Sequence, residues 1–118
     1  MSEKVGFAPL LDIEDCLKQI VSVMENLSEI DFTNNRLYVS SMIREFEVIG
    51  EATKRLSFEF REQHPHLPWR QLAGMRDKLI HDYSNVDKEI LWFSAKYEAV
   101  ELLISVEKII QDLNSAQV

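Results

Sequence analysis

From Leu10 to Leu113 the apolar side chains return every three or four residues, and this period constrains the fold more than any other feature. Leu10, Ile13, Leu17, Ile20, Val21, Met24 and Leu27 form one buried stripe of a first helix, with Pro9 as an early residue whose missing N–H costs nothing there. Residues 28–35 lose the pattern and collect Asp31, Thr33, Asn34 and Asn35, which are turn and N-cap types. A second helix is expected over about 35–62, with the stripe Val39, Met42, Ile43, Phe46, Ile49, Gly50, Thr53, Leu56 and Phe60. Gly50 weakens a helix interior by about 1 kcal/mol relative to Ala, so a close approach by another helix is expected there. His64, Pro65, His66, Leu67 and Pro68 stop that helix. Pro68 can open a third, carrying Trp69, Leu72, Ala73, Met75, Arg76, Leu79 and Ile80, which Asp82, Ser84 and Asn85 break. Asp87 fits an N-cap for the last helix, with Glu89 near its positive end. That helix is apolar on more than one side, so it is either the centre of a bundle or turned toward a second protein surface. The final Ser115, Ala116, Gln117 and Val118 are expected to fray.

The period implies an all-α protein, and three glycines and three prolines in 118 residues leave few places to break a helix. A chain of this length makes one domain, with an ordered core over about 8–113. No stretch reaches the roughly 18 uncharged apolar residues of a membrane span. The acidic N-terminus lacks the basic start and apolar core of a signal peptide, and the lone Cys16 has no disulfide partner within the chain. Both point to the cytoplasm. Cys16 lies at helical spacing among Leu and Ile and is expected to be a small buried hydrophobe.

The net charge of -7 argues against generic nucleic-acid binding, which draws on Lys and Arg. The charge is uneven. Residues 1–53 hold four basic and ten acidic side chains, and residues 82–118 hold three and seven. Residues 54–81 hold six basic (Lys54, Arg55, Arg61, Arg70, Arg76, Lys78) against three acidic, and contain all three histidines.

This positive island ends in Arg76, His81 and Tyr83, in the pattern R-x4-H-x-Y. In an unbroken helix Arg76 and Tyr83 share a face, while His81 points about 140° away from Arg76. Either the helix ends near His81 and the chain turns, or a symmetry mate completes the pair. Arg holds a phosphate bidentately, and His carries a proton near neutral pH. Together they suit metal-free RNA cleavage, in which the 2′-hydroxyl attacks its own phosphodiester. Tyr83 can stack on a base, bond a phosphate or accept a modification. The structural alternative is equally concrete: His81 caps its helix, Arg76 pairs with a carboxylate and Tyr83 fills the core. Arg70 and Lys78 are further candidates for RNA contact. His64 and His66 lack companion ligands at metal-binding spacing and are expected to be solvated loop histidines. No cofactor-binding motif and no metal-ligand set is seen.

The runs REFEVIGEATKRLS (44–57), HLPWRQLAGMRDKLIHDY (66–83) and NVDKEI (85–90) together resemble the HepT-like branch of the HEPN superfamily. The resemblance covers residues from about 8 to about 113. It implies an all-α, four- to five-helix up-and-down bundle that pairs into a homodimer. It also implies a metal-independent ribonuclease toxin, with Arg76 and His81 catalytic across a cleft between protomers. The family's usual neighbour is a nucleotidyltransferase antitoxin, MntA, which transfers AMP to the motif tyrosine, here Tyr83. Asp82 stands where many relatives carry Gly. A different class of function remains compatible with the same residues: a non-catalytic helical partner of a nucleotidyltransferase that helps it bind nucleotide or substrate.

Overall fold

A computed structural model of the chain describes residues 3–74 and 87–116. Among these the protein is helical throughout, with no strand. The first helix, α1 (Glu3–Met24), packs along α3 (Arg36–Arg55) and along the last helix. Asp12, midway along α1, pairs with Arg55 at the end of α3 (2.9 Å), while Val23 near the end of α1 shares a groove with Tyr38 near the start of α3, so the two helices run antiparallel. Leu10, Ile13, Leu17 and Ile20 of α1 face Met42, Ile43, Phe46 and Ile49 of α3 in one continuous core. Each fully buried side chain of this size contributes about 1.5–3 kcal/mol. Cys16 is buried among them, as expected.

α1 begins at Glu3, so Pro9 lies inside the helix rather than at its start. Its ring removes one backbone bond, but the ring is buried beside Leu10, whose side chain is fully buried, and that packing offsets the loss. Ser28 accepts a hydrogen bond from the Asp31 N–H (3.2 Å) and opens a short helix, α2 (Glu29–Thr33), inside the stretch expected to be a turn. α2 exists to place Phe32, fully buried, against Trp92 (ring centroids 5.8 Å). Asn35 caps α3 as its composition predicts, accepting from Leu37 and Tyr38.

The long second helix expected from about 35 to 62 is two helices. Leu56 adopts extended geometry (φ -74, ψ 139), and Ser57 caps α4 (Phe58–Gln63) by accepting from the Phe60 N–H (3.0 Å). The break keeps Leu56 in the core and leaves Phe60 half-buried. Both belong to the predicted stripe, so an apolar period does not report a cap inside it. Gly50 is buried in α3, and the Thr53 hydroxyl is satisfied within its own helix, donating to the Ile49 carbonyl (2.7 Å).

After Pro68 a further helix, α5, begins at residue 69 and reaches the edge of the described residues at 74. Asp87 then caps α6 (Lys88–Phe93), accepting from Glu89 (2.9 Å) and Ile90 (3.2 Å). α6 runs straight into a π turn (Ser94–Glu98) and on into α7 (Ala99–Ala116), with helical dihedrals at both junctions. Of the last four residues, expected to fray, Ser115 and Ala116 are helical, and Gln117 and Val118 lie outside the described residues. The π turn inserts one extra residue and so rotates the outward face of α7 relative to that of α6. It also aims Lys96 at the end of α1. The Lys96 ammonium donates to the carbonyls of Met24 (2.6 Å), Glu25 (3.1 Å) and Leu27 (3.4 Å) while lying over the Trp92 ring (5.5 Å). Met24 closes α1 and its carbonyl also accepts from the Leu27 N–H (3.2 Å), while Glu25 and Leu27 lie in the turn just beyond, at the helix's negative end.

Lys96→Met keeps the apolar stem and removes the charge. It is expected to lower stability by about 2–3 kcal/mol, because three carbonyls lose a charged donor. Thermal or urea unfolding of the variant beside the parent measures the loss.

Candidate functional site

The four charged or aromatic residues of greatest chemical interest, Arg76, Lys78, His81 and Tyr83, lie outside the described residues, as does Asp82. The structure does describe both flanks. On the leading side the indole N–H of Trp69 donates to the His64 carbonyl (2.8 Å), and its ring meets Phe60 edge-on at 6.4 Å. Leu67, Trp69 and Leu72 are buried, so α5 starts from a fixed base. On the trailing side Asp87 caps α6, and Lys88 reaches the Thr33 carbonyl (3.4 Å). The chemical segment is therefore carried between two packed ends, one on α4 and α5 and the other on α2 and α6.

Of the positive island, Arg55 is committed to Asp12. Arg70 is exposed on α5. His66 is exposed as expected, but His64 is not a solvated loop residue. Its ring is half-buried and lies 4.8 Å from Phe60. Burial pushes its pKa below the ordinary value and nearby His66 adds to this, while Asp112 pulls the other way. Nothing in the pattern of the chain signals this, because the packing partner Phe60 belongs to a helix that starts at Ser57 inside an unbroken apolar period. Among the described residues no cluster of three His, Cys, Asp or Glu could hold a metal ion. No helix among them is long and apolar enough to cross a membrane. Cys16 is no nucleophile: burial, and then the charges of Glu45, Asp12 and Asp15, raise its pKa to about 11.

Two surfaces remain. The last helix is apolar on two sides, as its sequence suggests. Leu91, Ala95, Ala99, Val106 and Ile109 face the core, while Ile90, Phe93, Tyr97, Val100 and Ile104 are exposed by 40 to 64%. Phe93 and Tyr97 meet at 5.4 Å across the π turn. Such a stripe is more than a scatter of exposed apolar residues. Beside it a groove of about 420 Å³ runs between residues 66–74 and the last helix. Phe46, Leu67, Leu72 and Leu102 form its floor, and Gln71, Ser94, Glu98 and Glu101 stand on its walls. Its residues carried no recognisable motif, because the π turn that brings them together has no sequence signature.

A protein-family model described as "Ribonuclease HepT-like" matches residues 13–109. A protein of Methanocaldococcus jannaschii named "Putative RNase MJ1216" is 43% identical over 104 residues, covering 88% of this chain and 86% of its own. A second from the same organism, "Putative RNase MJ0125", is 44% identical over 104 residues, with 88% and 90% covered. "Probable ribonuclease HepT" of Thermococcus cleftensis is 37% identical over 100 residues, with 85% and 91% covered. No solved structure matches the chain.

His64 also makes the fold sensitive to acid. Unfolded, it titrates at its ordinary value of 6.5; folded, it titrates lower. Between those values the unfolded chain holds the extra proton, so its contribution is complete above about 6.5 and is lost as pH falls. The unfolding midpoint of His64→Gln is expected to fall less than the parent's between pH 7.5 and pH 5. Equal falls would mean that His64 carries none of the acid sensitivity.

Proposed function

The chain belongs to the HepT-like ribonuclease family, and on that basis we propose that it is a metal-independent endoribonuclease acting as the toxin of a toxin–antitoxin pair. The observation that carries this reading is the intact Arg76, His81 and Tyr83 pattern inside a chain that matches the family along 97 residues, 13–109. Arg76 holds the scissile phosphate and stabilises the charge that develops on it. His81 takes the proton of the 2′-hydroxyl as that oxygen bonds to phosphorus, and a proton is returned to the 5′ oxygen as its bond to phosphorus breaks. The products are a 2′,3′-cyclic phosphate and a 5′-hydroxyl, so no water, metal or external nucleophile enters the step. Arg70, exposed on α5, and Lys78 are the proposed contacts for flanking phosphates.

The exposed stripe of Ile90, Phe93, Tyr97, Val100 and Ile104 supports a second copy of this chain as its occupant. A two-fold pair covers the same stripe on both protomers and sets two motifs beside one cleft. The proposed antitoxin is a nucleotidyltransferase that transfers AMP to the Tyr83 hydroxyl. A phosphate installed there competes with RNA for Arg76 and silences the site. The acidic surface outside residues 54–81 favours the alternative of a non-catalytic partner of such an enzyme, and cleavage separates the two.

Purified parent protein is expected to cleave total RNA in excess EDTA, and His81→Ala to lose that activity at an unchanged unfolding midpoint. An intact mass recorded on both shows whether Tyr83 already carries AMP. Cleavage by His81→Ala at the parent's rate would remove the catalytic reading.

Phe93→Glu combined with Ile104→Glu places charges in the stripe without touching the core. It is expected to shift sedimentation from dimer to monomer and to reduce cleavage with it. A monomeric parent, or a double variant that still dimerises, would assign the stripe to another partner.

A further inference from the structure

The groove between α5 and the last helix contains a feature that its own chain does not use. Gly74 stands exposed at its lip, in a helix, where glycine is a poor choice. A Cβ built on Gly74 would meet nothing within 4 Å. Among the described residues no neighbouring atom therefore requires glycine there. Glycine is also the residue that lets a ligand approach the backbone.

The second observation is the π turn opposite. Such turns gather at functional sites because they re-aim side chains at a cost to helix geometry. This one places Ser94 and Glu98 on the groove wall, with the Ser94 hydroxyl donating to Glu98 Oε1 at 2.6 Å. One carboxylate oxygen is thus held in a fixed direction. The third observation is the lining itself. Its floor is apolar (Phe46, Leu67, Leu72, Leu102), and its walls carry Gln71, Ser94, Glu98, Glu101 and Ser105 without a Lys or Arg among the described residues. A volume of about 420 Å³ is that of a small-ligand site.

Among the described residues the groove walls present two carboxylates. They accept hydrogen bonds from N–H groups, and the apolar floor takes a flat ring. A nucleobase has both parts. Gly74 stands two residues before Arg76 in the sequence. Resting on the ribonuclease reading above, we infer that this groove binds the base of a nucleotide flanking the scissile phosphodiester, and that it selects bases bearing an exocyclic amino group. Adenine, cytosine and guanine present such a donor to Glu98 and Glu101, and uracil does not. Single-stranded RNA exposes these edges for such readout.

The test uses the full chain and a randomised single-stranded RNA pool in EDTA, with product ends sequenced. Amino-bearing bases are expected to be enriched at one fixed position relative to the cleaved bond. Glu98→Ala with Glu101→Ala is expected to reduce that enrichment about tenfold, the effect of one lost charged hydrogen bond. Gly74→Leu fills the lip and is expected to raise KM about tenfold with the unfolding midpoint kept. A parent without positional preference overturns the inference, as do variants that retain the parent's preference and KM. If Gly74→Leu disperses the dimer but leaves the preference intact, the groove seats the second copy and the inference falls. A 2′-O-methyl version of the pool, which cannot be cleaved by 2′-hydroxyl attack, is selected for binding in parallel. Binding with the same base preference but no cleavage of the natural pool upholds the groove and removes the ribonuclease reading. Neither binding nor cleavage removes both.

Discussion

The arrangement of the described helices depends on one ammonium group. Lys96 sits between the end of α1 and the face of Trp92, and three carbonyls at the close of α1 receive its protons. Drawing an ammonium out of water is costly unless it is fully bonded. Here the cost is offset by carbonyl acceptors at and just beyond the negative end of a helix, with the indole face as a further electrostatic partner. The contact joins segments 69 to 72 residues apart, so it fixes the last helix against α1 in both position and direction. Trp92 does not hold this junction alone, because Phe32 packs against its ring (centroids 5.8 Å) and draws α2 into the same corner.

The π turn is the backbone's answer to that demand. The buried residues Leu91, Ala95 and Ala99 follow one another at intervals of four, slightly longer than a regular turn. Kept up over two turns, that spacing would drift off the core in an α-helix. One wide turn absorbs the drift, so that the core face continues through Val106 and Ile109. The same adjustment sets Phe93 and Tyr97 side by side on the outside and turns Ser94 and Glu98 toward the groove. Core packing, the outward stripe and the groove wall are therefore consequences of a single irregularity.

The sequence revealed what depends on local chemistry. Asn35 and Asp87 cap the helices that follow them, since their short side chains reach only the next two or three N–H groups. The stripe from Val39 to Leu56 is buried in its entirety apart from the positions on other faces, because burial at helical spacing is what the period encodes. What it concealed depends on distant partners. Ser57 ends one helix and starts another inside an unbroken apolar period, and only the core position of Leu56 explains the choice. Pro9 was placed by a rule about helix starts, whereas its buried ring holds it inside α1. His64 read as a loop residue because Phe60 and Trp69 surround it only after folding. The site divides in the same way. Arg76, His81 and Tyr83 stand out because they are close in sequence and chemically distinct, while Gln71, Glu98 and Glu101 meet only across the groove.

Ile90 belongs to both exposed surfaces of the last helix: it is part of the apolar stripe, and it lines the groove. Glu101 joins the groove wall between Val100 and Ile104 of the stripe. A second copy seated on the stripe would therefore stand at the groove's rim and raise its wall. The groove would be deepened from outside by the same event that doubles the Arg76 and His81 motif. Acidic side chains dominate everywhere outside residues 54–81, so RNA phosphates are repelled from most of each protomer. Among the described residues, the groove combines an apolar floor with the carboxylates of Glu98 and Glu101, and the positive stretch 54–81 supplies part of its lining. In the proposed dimer, assembly and substrate selection would then meet on one element, the last helix.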